Sequence, residues 1–447
     1  MSIPSLLKSI KRLERLSPIH WLSLAFIFHV LVTVVVFLVG HFRLLPGNID
    51  ENGFASFAVD STAYRQVIIE MVDVVSNQGF SAWLNAPGPL HCRLYAPAFL
   101  FLGGVFGYNV LTAEPVNVIY YLAILVLIYW LGVVIFDSKA GLIASIVVAV
   151  WPSFVVHSTQ LLRDSVSTAL LLSLFLILAW LLQRKFSWRN SLLLGMAGLS
   201  LVTVLWLARG NLWNLVDATL AIATILLIVR MVRERQLLGP NLIVLIVIVT
   251  AAVLVPARIE STTLAGTRPP TALIAIPSGQ TTSSRSLWAK IITQIQSRRG
   301  GFKTYTAQES NIDEDVIFRT ESDVIKYLPR AVVVGFFAPF PRMWFEVGSN
   351  GRAAHLVSGL ETFIMYLLYL PAGYCVWINR RNFSVWLIFL AAFIAMTALG
   401  LVVVNAGALY RVRYVFWMLV IVLAAEGIRK IVWRPHNYAE ESLENSN

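Results

Sequence analysis

A few charged residues of this chain stand at the ends of apolar runs, where neither anchoring nor solvation alone accounts for them. Asp60 opens the stretch DSTAYRQVIIEMV. Arg163 and Asp164 are adjacent in STQLLRDS, and Arg209 lies in LARGN. Arg411 and Arg413 lie in NAGALYRVRYVFW, with no acidic residue within ten positions on either side. Carboxylate and guanidinium groups supply two complementary kinds of chemistry. A carboxylate takes the proton of an attacking hydroxyl or amine. A guanidinium holds phosphate through paired N–H donors. Such a set suits displacement at a sugar carbon as a lipid phosphate departs, a reaction in which preorganised charge is usually the largest catalytic contribution.

The elements that must position these residues are apolar helices. The chain has 447 residues, 57% hydrophobic and only 13% charged, with a mean hydropathy of +0.73. Soluble domains carry about 25% charged residues, so the composition predicts an all-α polytopic membrane protein. Runs long enough to cross fall at 21–42, 116–136, 140–157, 165–183, 190–208, 212–229, 241–256, 354–379, 383–404 and 414–428. The net charge of +11 reflects basic residues at the ends of these runs, as membrane topology requires, and points away from nucleic acid. Sixteen Lys and Arg residues, among them Lys11, Arg184, Arg230, Arg380 and Arg429, fall in alternate connections. Only Arg163, Arg209, Arg411 and Arg413 fall in the short turns of the other side. This asymmetry predicts both termini in the cytoplasm, about ten crossings, and the unexplained arginines outside. The first run is as long as a full crossing and has no small-residue cleavage site behind it, so it reads as a retained helix.

Two further apolar stretches, 95–112 and 331–345, are broken by Pro and Gly and read as re-entrant or interfacial segments. Within the outer loop 43–115, Tyr64, Ile68, Met71 and Val75 recur at helical spacing, the pattern of an amphipathic helix on the membrane surface. The outer loop 257–330 reads as flexible in its Ser/Thr/Pro-rich first half and as a short solvated helix in the acidic run ESNIDEDVIFRTESD. The chain thus divides into an N-terminal transmembrane module, 1–256, the outer loop 257–330, and a C-terminal transmembrane module, 331–447.

Several chemistries are absent from the sequence. Cys92 and Cys375 are far apart, and the seven histidines form neither HxxH nor HExxH. There is no GxxxxGK[ST], and the inner connections are too short for a nucleotide-binding domain. Each singled-out residue also has a structural reading. Asp60 can cap its helix, and Arg163 and Asp164 can pair with each other. Arg209 can reach lipid head groups, as can Arg411 and Arg413. Tyr410, Tyr414 and Trp417 suit an aromatic belt, and Glu361, near mid-span, suits an internal pair.

The chain resembles the GT-C superfamily of polyprenyl-phosphate-dependent glycosyltransferases, particularly bacterial relatives of protein O-mannosyltransferase and of the lipid A aminoarabinose transferase. The resemblance rests on VDSTAYRQVIIEMV after the first span, on Tyr95 and Pro97 with Gly107-Tyr108-Asn109 and Asn117, on GLIASIVVAVWPSFVVHSTQLLRDSVSTALLL, and on NAGALYRVRYVF. It covers roughly residues 20–215, and 325–430 more loosely. It implies a GT-C-like fold with juxtamembrane helices in the first outer loop, Asp60 as general base, and Tyr64 lining the same face. It also implies that Asp164 holds the acceptor or a divalent cation, the only cofactor suggested. Tyr95, Arg163, Arg209, Arg411 and Arg413 would bind substrate. The chain lacks an Asp-Glu pair at Asp60, whereas Asp50-Glu51 supplies one nearby, so the base is Asp50, Glu51 or Asp60. The expected partners are a polyprenyl-phosphate-linked sugar, a glycan, lipid or protein acceptor, and membrane lipids, with the site facing outward from a bacterial inner membrane. The competing readings are an O-antigen-type polymerase or ligase and a lipid-linked sugar flippase or transporter.

Overall fold

The computed structural model describes residues 18–58, 60–86, 88–259, 287–305, 310–345 and 351–432. The Ser/Thr/Pro-rich stretch that reads as flexible lies almost wholly outside the described residues. Regular structure among the described residues is helical, with two isolated bridges, Ile49 to Ala55 and Asn311 to Asn405. The helices are α1 Pro18–His41, α2 Asp60–Gln78, α3 Phe80–Asn85, α4 Leu90–Phe106, α5 Val110–Ile135 and α6 Ser138–Ala149. They continue as α7 Pro152–Ser158, α8 Arg163–Gln183, α9 Trp188–Arg209, α10 Trp213–Glu234, α11 Gly239–Arg258 and α12 Leu287–Tyr305. The last are α13 Glu321–Phe337, α14 Gly351–Ile378, α15 Phe383–Val402, α16 Ala406–Val412 and α17 Tyr414–Val432.

Eight described stretches are long and apolar enough to cross a membrane, nine with the α6–α7 pair, which is bent by 69°. The bend falls where Pro152, lacking an N–H, starts α7. One stretch, Trp188–Glu234, folds back on itself: Arg230 near its end donates to Leu181 O (3.0 Å), just before its start. It therefore crosses twice, as α9 and α10. Glu321–Trp344 does not cross. The C-terminal end of α13 meets the middle of α14, where Tyr369 donates to Phe336 O (2.7 Å). A few residues on, His355 near the start of α14 donates to Met343 O (3.0 Å), so the chain has turned back. Gly335 and Gly400 leave no room for a Cβ between α13 and α15, and this lets the re-entrant helix pack tightly. With α17 included, ten segments run the height of the bundle, with bounds close to those read from hydropathy.

Polar ties join the ends of five of the helices. Asn241 donates to Leu181 O (2.9 Å) and Arg184 O (2.7 Å). Gln183 donates to Asn382 Oδ1 (2.7 Å), Asn382 donates to Ile135 O (3.1 Å), and Arg429 pairs with Asp137 (3.1 Å). Each unpaired polar group in hydrocarbon would cost several kcal/mol, so these ties align the ends of α5, α8, α11, α15 and α17. The basic residues Arg184, Arg230, Arg380 and Arg429 therefore share this end, and Asp60, Asp164, Arg209 and Arg411 share the opposite one.

Two expectations are corrected. Ile68 and Met71 of α2 are fully buried, and they pack with Cys92, Tyr95 and Phe99 of α4 instead of lying on a membrane surface. The periodicity reported an apolar face but not what covers it. The acidic run at 309–323 is not a solvated helix: Ile312 and Phe318 are buried, Asp313 pairs with Arg330 (2.8 Å), and helix begins only at Glu321. Its apolar residues alternate between charges too irregularly for a helical face, and they dock the segment on α12 and α15.

Candidate active site

The site forms where four helix ends meet. α8 starts at Arg163 after the extended Leu162, which places Asp164 in its first turn. There the unpaired N–H groups and the positive end of the helix dipole favour a carboxylate. Asp60 likewise lies in the first turn of α2, Arg209 ends α9, and Arg411 lies on the short α16. The four side chains form an alternating chain of charge. Asp60 Oδ2 is 3.1 Å from Arg411 Nη2, and Arg411 Nε is 3.4 Å from Asp164 Oδ2. Asp164 Oδ1 accepts from Arg209 Nη1. Side-chain exposure rises along this chain from 6% at Arg209 through 14% at Asp164 and 19% at Arg411 to 40% at Asp60. Of the two carboxylates, Asp60 is the one more open to solvent.

Three amides hold this arrangement. Gln160, fully buried between α7 and α8, accepts from Ala55 N (2.9 Å) and donates to Gly53 O (3.3 Å), so the loop leading to Asp60 is tied beside Asp164. Asn117 donates to Thr159 O (2.8 Å), which fixes the same turn against α5. Asn405 caps α16 by accepting from Ala408 N (3.0 Å) and donates to Ser310 Oγ (2.9 Å), while Ile312 N donates to Val404 O (2.6 Å). The start of the helix that carries Arg411 is thereby tied to the 310–312 segment.

Tyr64, one turn after Asp60, packs edge-on against His91 with ring centroids 4.3 Å apart. Burial pushes the Tyr64 hydroxyl up to about 12, so it stays a hydrogen-bond donor at neutral pH. Burial, reinforced by Arg163, lowers His91 to about 3, and that ring is neutral. The Asp164 carboxylate holds Arg411 above the usual guanidinium value despite burial. Arg163 acts electrostatically on Tyr64, His91 and Asp164, yet it makes no ion pair or side-chain hydrogen bond among the described residues. Three guanidiniums thus face two carboxylates, and the cluster as built carries an excess positive charge.

Other candidates lie elsewhere. Arg413 is buried on the far side of α16, donating to Gly335 O (3.2 Å) and stacking over Tyr410, so it braces the re-entrant α13. Tyr95 is fully buried and donates to Asn117 Oδ1 inside the α4–α5 core. Asp50 accepts from Asn52 N (2.9 Å) and Phe54 N (2.8 Å) as a turn former, and Glu51 pairs with Arg43 at the exposed surface. Of the three acids open as base, only Asp60 is in the cluster. Glu361 accepts from Ser153 N (2.6 Å) and from the Tyr410 hydroxyl. His157, half-buried on α7, lies between that pair and the cluster, its Nδ1 2.7 Å from Ser153 O and 3.4 Å from the Tyr414 hydroxyl. The sequence carried no signal for His157 or His91, because a lone histidine in an apolar helix reads as core.

The residues present do not fit a divalent cation. Hard cations take oxygen ligands, water among them, and need one or two carboxylates free to bind them. Here the oxygens that Asp60 and Asp164 present to each other are taken by one guanidinium, and the other Asp164 oxygen is on Arg209. Among the described residues no three His, Cys, Asp or Glu side chains group as ligands.

No family model and no curated protein matches the sequence. Among solved structures, the chain is similar to the apo form of an oligosaccharyltransferase from Archaeoglobus fulgidus, at 14% identity and a TM-score of 0.46. The similarity covers 96% of this chain and 52% of that one, so this chain spans about half the length of that enzyme.

Proposed function

We propose that the chain is a GT-C-type glycosyltransferase. It moves a sugar from a polyprenyl-phosphate donor to a glycan, lipid or protein acceptor on the outer face of a bacterial inner membrane, with both termini cytoplasmic. The observation that carries this reading is the juxtaposition of one reachable carboxylate, Asp60, with a guanidinium excess that includes Arg163, which has no ion pair among the described residues. A site with surplus positive charge at the end of a membrane bundle, away from the basic end, suits a phosphate that stays anchored in lipid.

In this mechanism the acceptor oxygen or nitrogen attacks the anomeric carbon while Asp60 takes its proton. The bond from that carbon to the phosphate oxygen breaks, and its electron pair leaves with the lipid phosphate. Arg163 and Arg411 meet the charge growing on the phosphate, and the Tyr64 hydroxyl donates to it. Asp164 is not free to act as a base, so its role is to hold Arg209 and Arg411 in place. The test is turnover of polyprenyl-phosphate sugars by the purified chain in nanodiscs. Asp60→Asn is expected to lower turnover by about 10²–10⁴-fold, the range of general-base contributions, with thermal stability unchanged. Full activity in that variant would sink Asp60 as the base, and failure of every such donor to react would sink the reading.

A further inference from the structure

We propose that the Arg411 guanidinium is the resident cation of this site, standing where a divalent ion would bridge Asp60 and Asp164. The chain then works without a metal and acquires a metal site when Arg411 is removed. This rests on the glycosyltransferase reading for its mechanistic meaning, but not for its evidence.

Three observations lead to it. The first is occupancy: Nη2 and Nε of one side chain reach one oxygen of each aspartate, at 3.1 and 3.4 Å, so a single planar cation links both carboxylates. The second is preorganisation. Arg411 lies on a seven-residue helix capped by Asn405 and tied to Ser310 and Ile312, and only 19% of its side chain is exposed. It is built into the wall and is not a mobile surface arginine. The third is the surrounding charge. Arg209 is in contact with Asp164, and Arg163 acts on the same carboxylate, so a doubly charged ion entering between the aspartates would face three guanidiniums. Removing Arg411 reverses this balance. Both oxygens of Asp60 and Oδ2 of Asp164 become available, and one or two carboxylates completed by water are what small divalent cations accept.

The arginine also differs from a metal in what it can do. A guanidinium cannot lower the pKa of a bound water as a metal does. It can donate directed hydrogen bonds to a phosphate in one plane, and it is not lost to chelators.

The experiment uses Mn²⁺ and the full-length chain, with free Mn²⁺ followed by electron paramagnetic resonance after dialysis against EDTA. The wild type is expected to show no Asp60-dependent Mn²⁺ site, and EDTA should leave its thermal midpoint and donor turnover unchanged. Arg411→Ala should bind one Mn²⁺ at least about tenfold more tightly than wild type, as loss of a cation beside two carboxylates implies. Adding Asp60→Asn should abolish that gain. Arg411→Gln, closer in shape, gives the same readout if the alanine variant does not fold, and the wild-type titration stands without either. Asp60-dependent Mn²⁺ binding by the wild type overturns the proposal, as does a folded Arg411 variant that gains no site. Mn²⁺ binding requires no sugar donor. The expected binding pattern in a chain that turns over no polyprenyl-phosphate sugar would therefore sink only the glycosyltransferase reading.

Discussion

Two polar clusters lie near the same end of the bundle and are built on opposite plans. One is a sealed knot: His29 of α1 faces Glu114 Oε1 of α5 at 2.8 Å and Ser158 Oγ of α7 at 2.8 Å, while Thr33 donates to Glu114 Oε2 at 2.7 Å. His29 and Thr33 are fully buried, and both carboxylate oxygens of Glu114 are engaged. The other is the Asp60–Arg411–Asp164–Arg209 chain, which ends in a 40% exposed aspartate and lies next to Arg163, which has no ion pair among the described residues. Burial with complete pairing joins helices. Burial with incomplete pairing leaves charge for a ligand. On the proposed function, the contrast separates a polar group that joins helices from one left able to meet a ligand.

Breaking each cluster should therefore have different consequences. The largest effect is expected from Asp60→Asn, which should remove about 10²–10⁴-fold of turnover while the thermal midpoint holds. Glu114→Ala should do the reverse, lowering stability by on the order of 3 kcal/mol because buried partners lose their counterpart. The donor KM of the fraction that stays folded should be unchanged, as read by denaturant titration beside kinetics. If Glu114→Ala spares stability and abolishes turnover, the division between the clusters fails. Arg163→Ala should lower kcat/KM for a phosphate-linked donor by about 10²-fold, the usual effect of losing one charged stabiliser, with little change in stability. Arg163→Lys should recover only part, because an ammonium lacks the paired donors.

The smallest effect sharpens the comparison through pH. His91 is lowered to about 3 in the folded chain, so between that value and its ordinary 6.5 the unfolded state binds a proton that the folded state does not. Stability should then rise with pH up to about 6.5 and be flat above it. At pH 5 the loss is about 2 kcal/mol, and His91→Gln should remove that slope. Thermal midpoints of the two proteins across pH 4.5–8 test this, and parallel curves would mean that His91 is not the titrating group.

The sequence carries the crossings, and which helix ends lie together, because hydropathy and the placement of Arg and Lys follow the ends of each segment. The re-entrant reading of 331–345 was legible for a related reason: Pro339, Pro341 and Gly335 interrupt a run that would otherwise cross. Ile68 and Met71 were misassigned to the membrane surface because their spacing is the same whether lipid or α4 covers them. At the site, Asp60, Asp164, Arg209 and Arg411 could be nominated one by one, since each is an unexplained charge at a helix end. Their pairing could not, because α2 and α16 are more than three hundred residues apart in sequence. Arg411 and Arg413 are separated only narrowly by sequence; in the structure Arg411 lies on α16, whereas Arg413 stands just past its end and donates to Gly335 O.

Gln160 has a consequence beyond geometry. Both of its bonds to the first outer loop go to main-chain atoms, Ala55 N and Gly53 O, and neither depends on which side chains the loop carries. The bonds themselves do not read side chains, although Gly53, at a φ of 83° and without room for a Cβ against Val110, is held to glycine. On the proposed function, the exposed surface around Asp60 could drift in sequence, and with it the shape offered to different acceptors, while the carboxylate keeps its address beside Asp164. An arrangement of this kind lets recognition vary independently of chemistry within one chain.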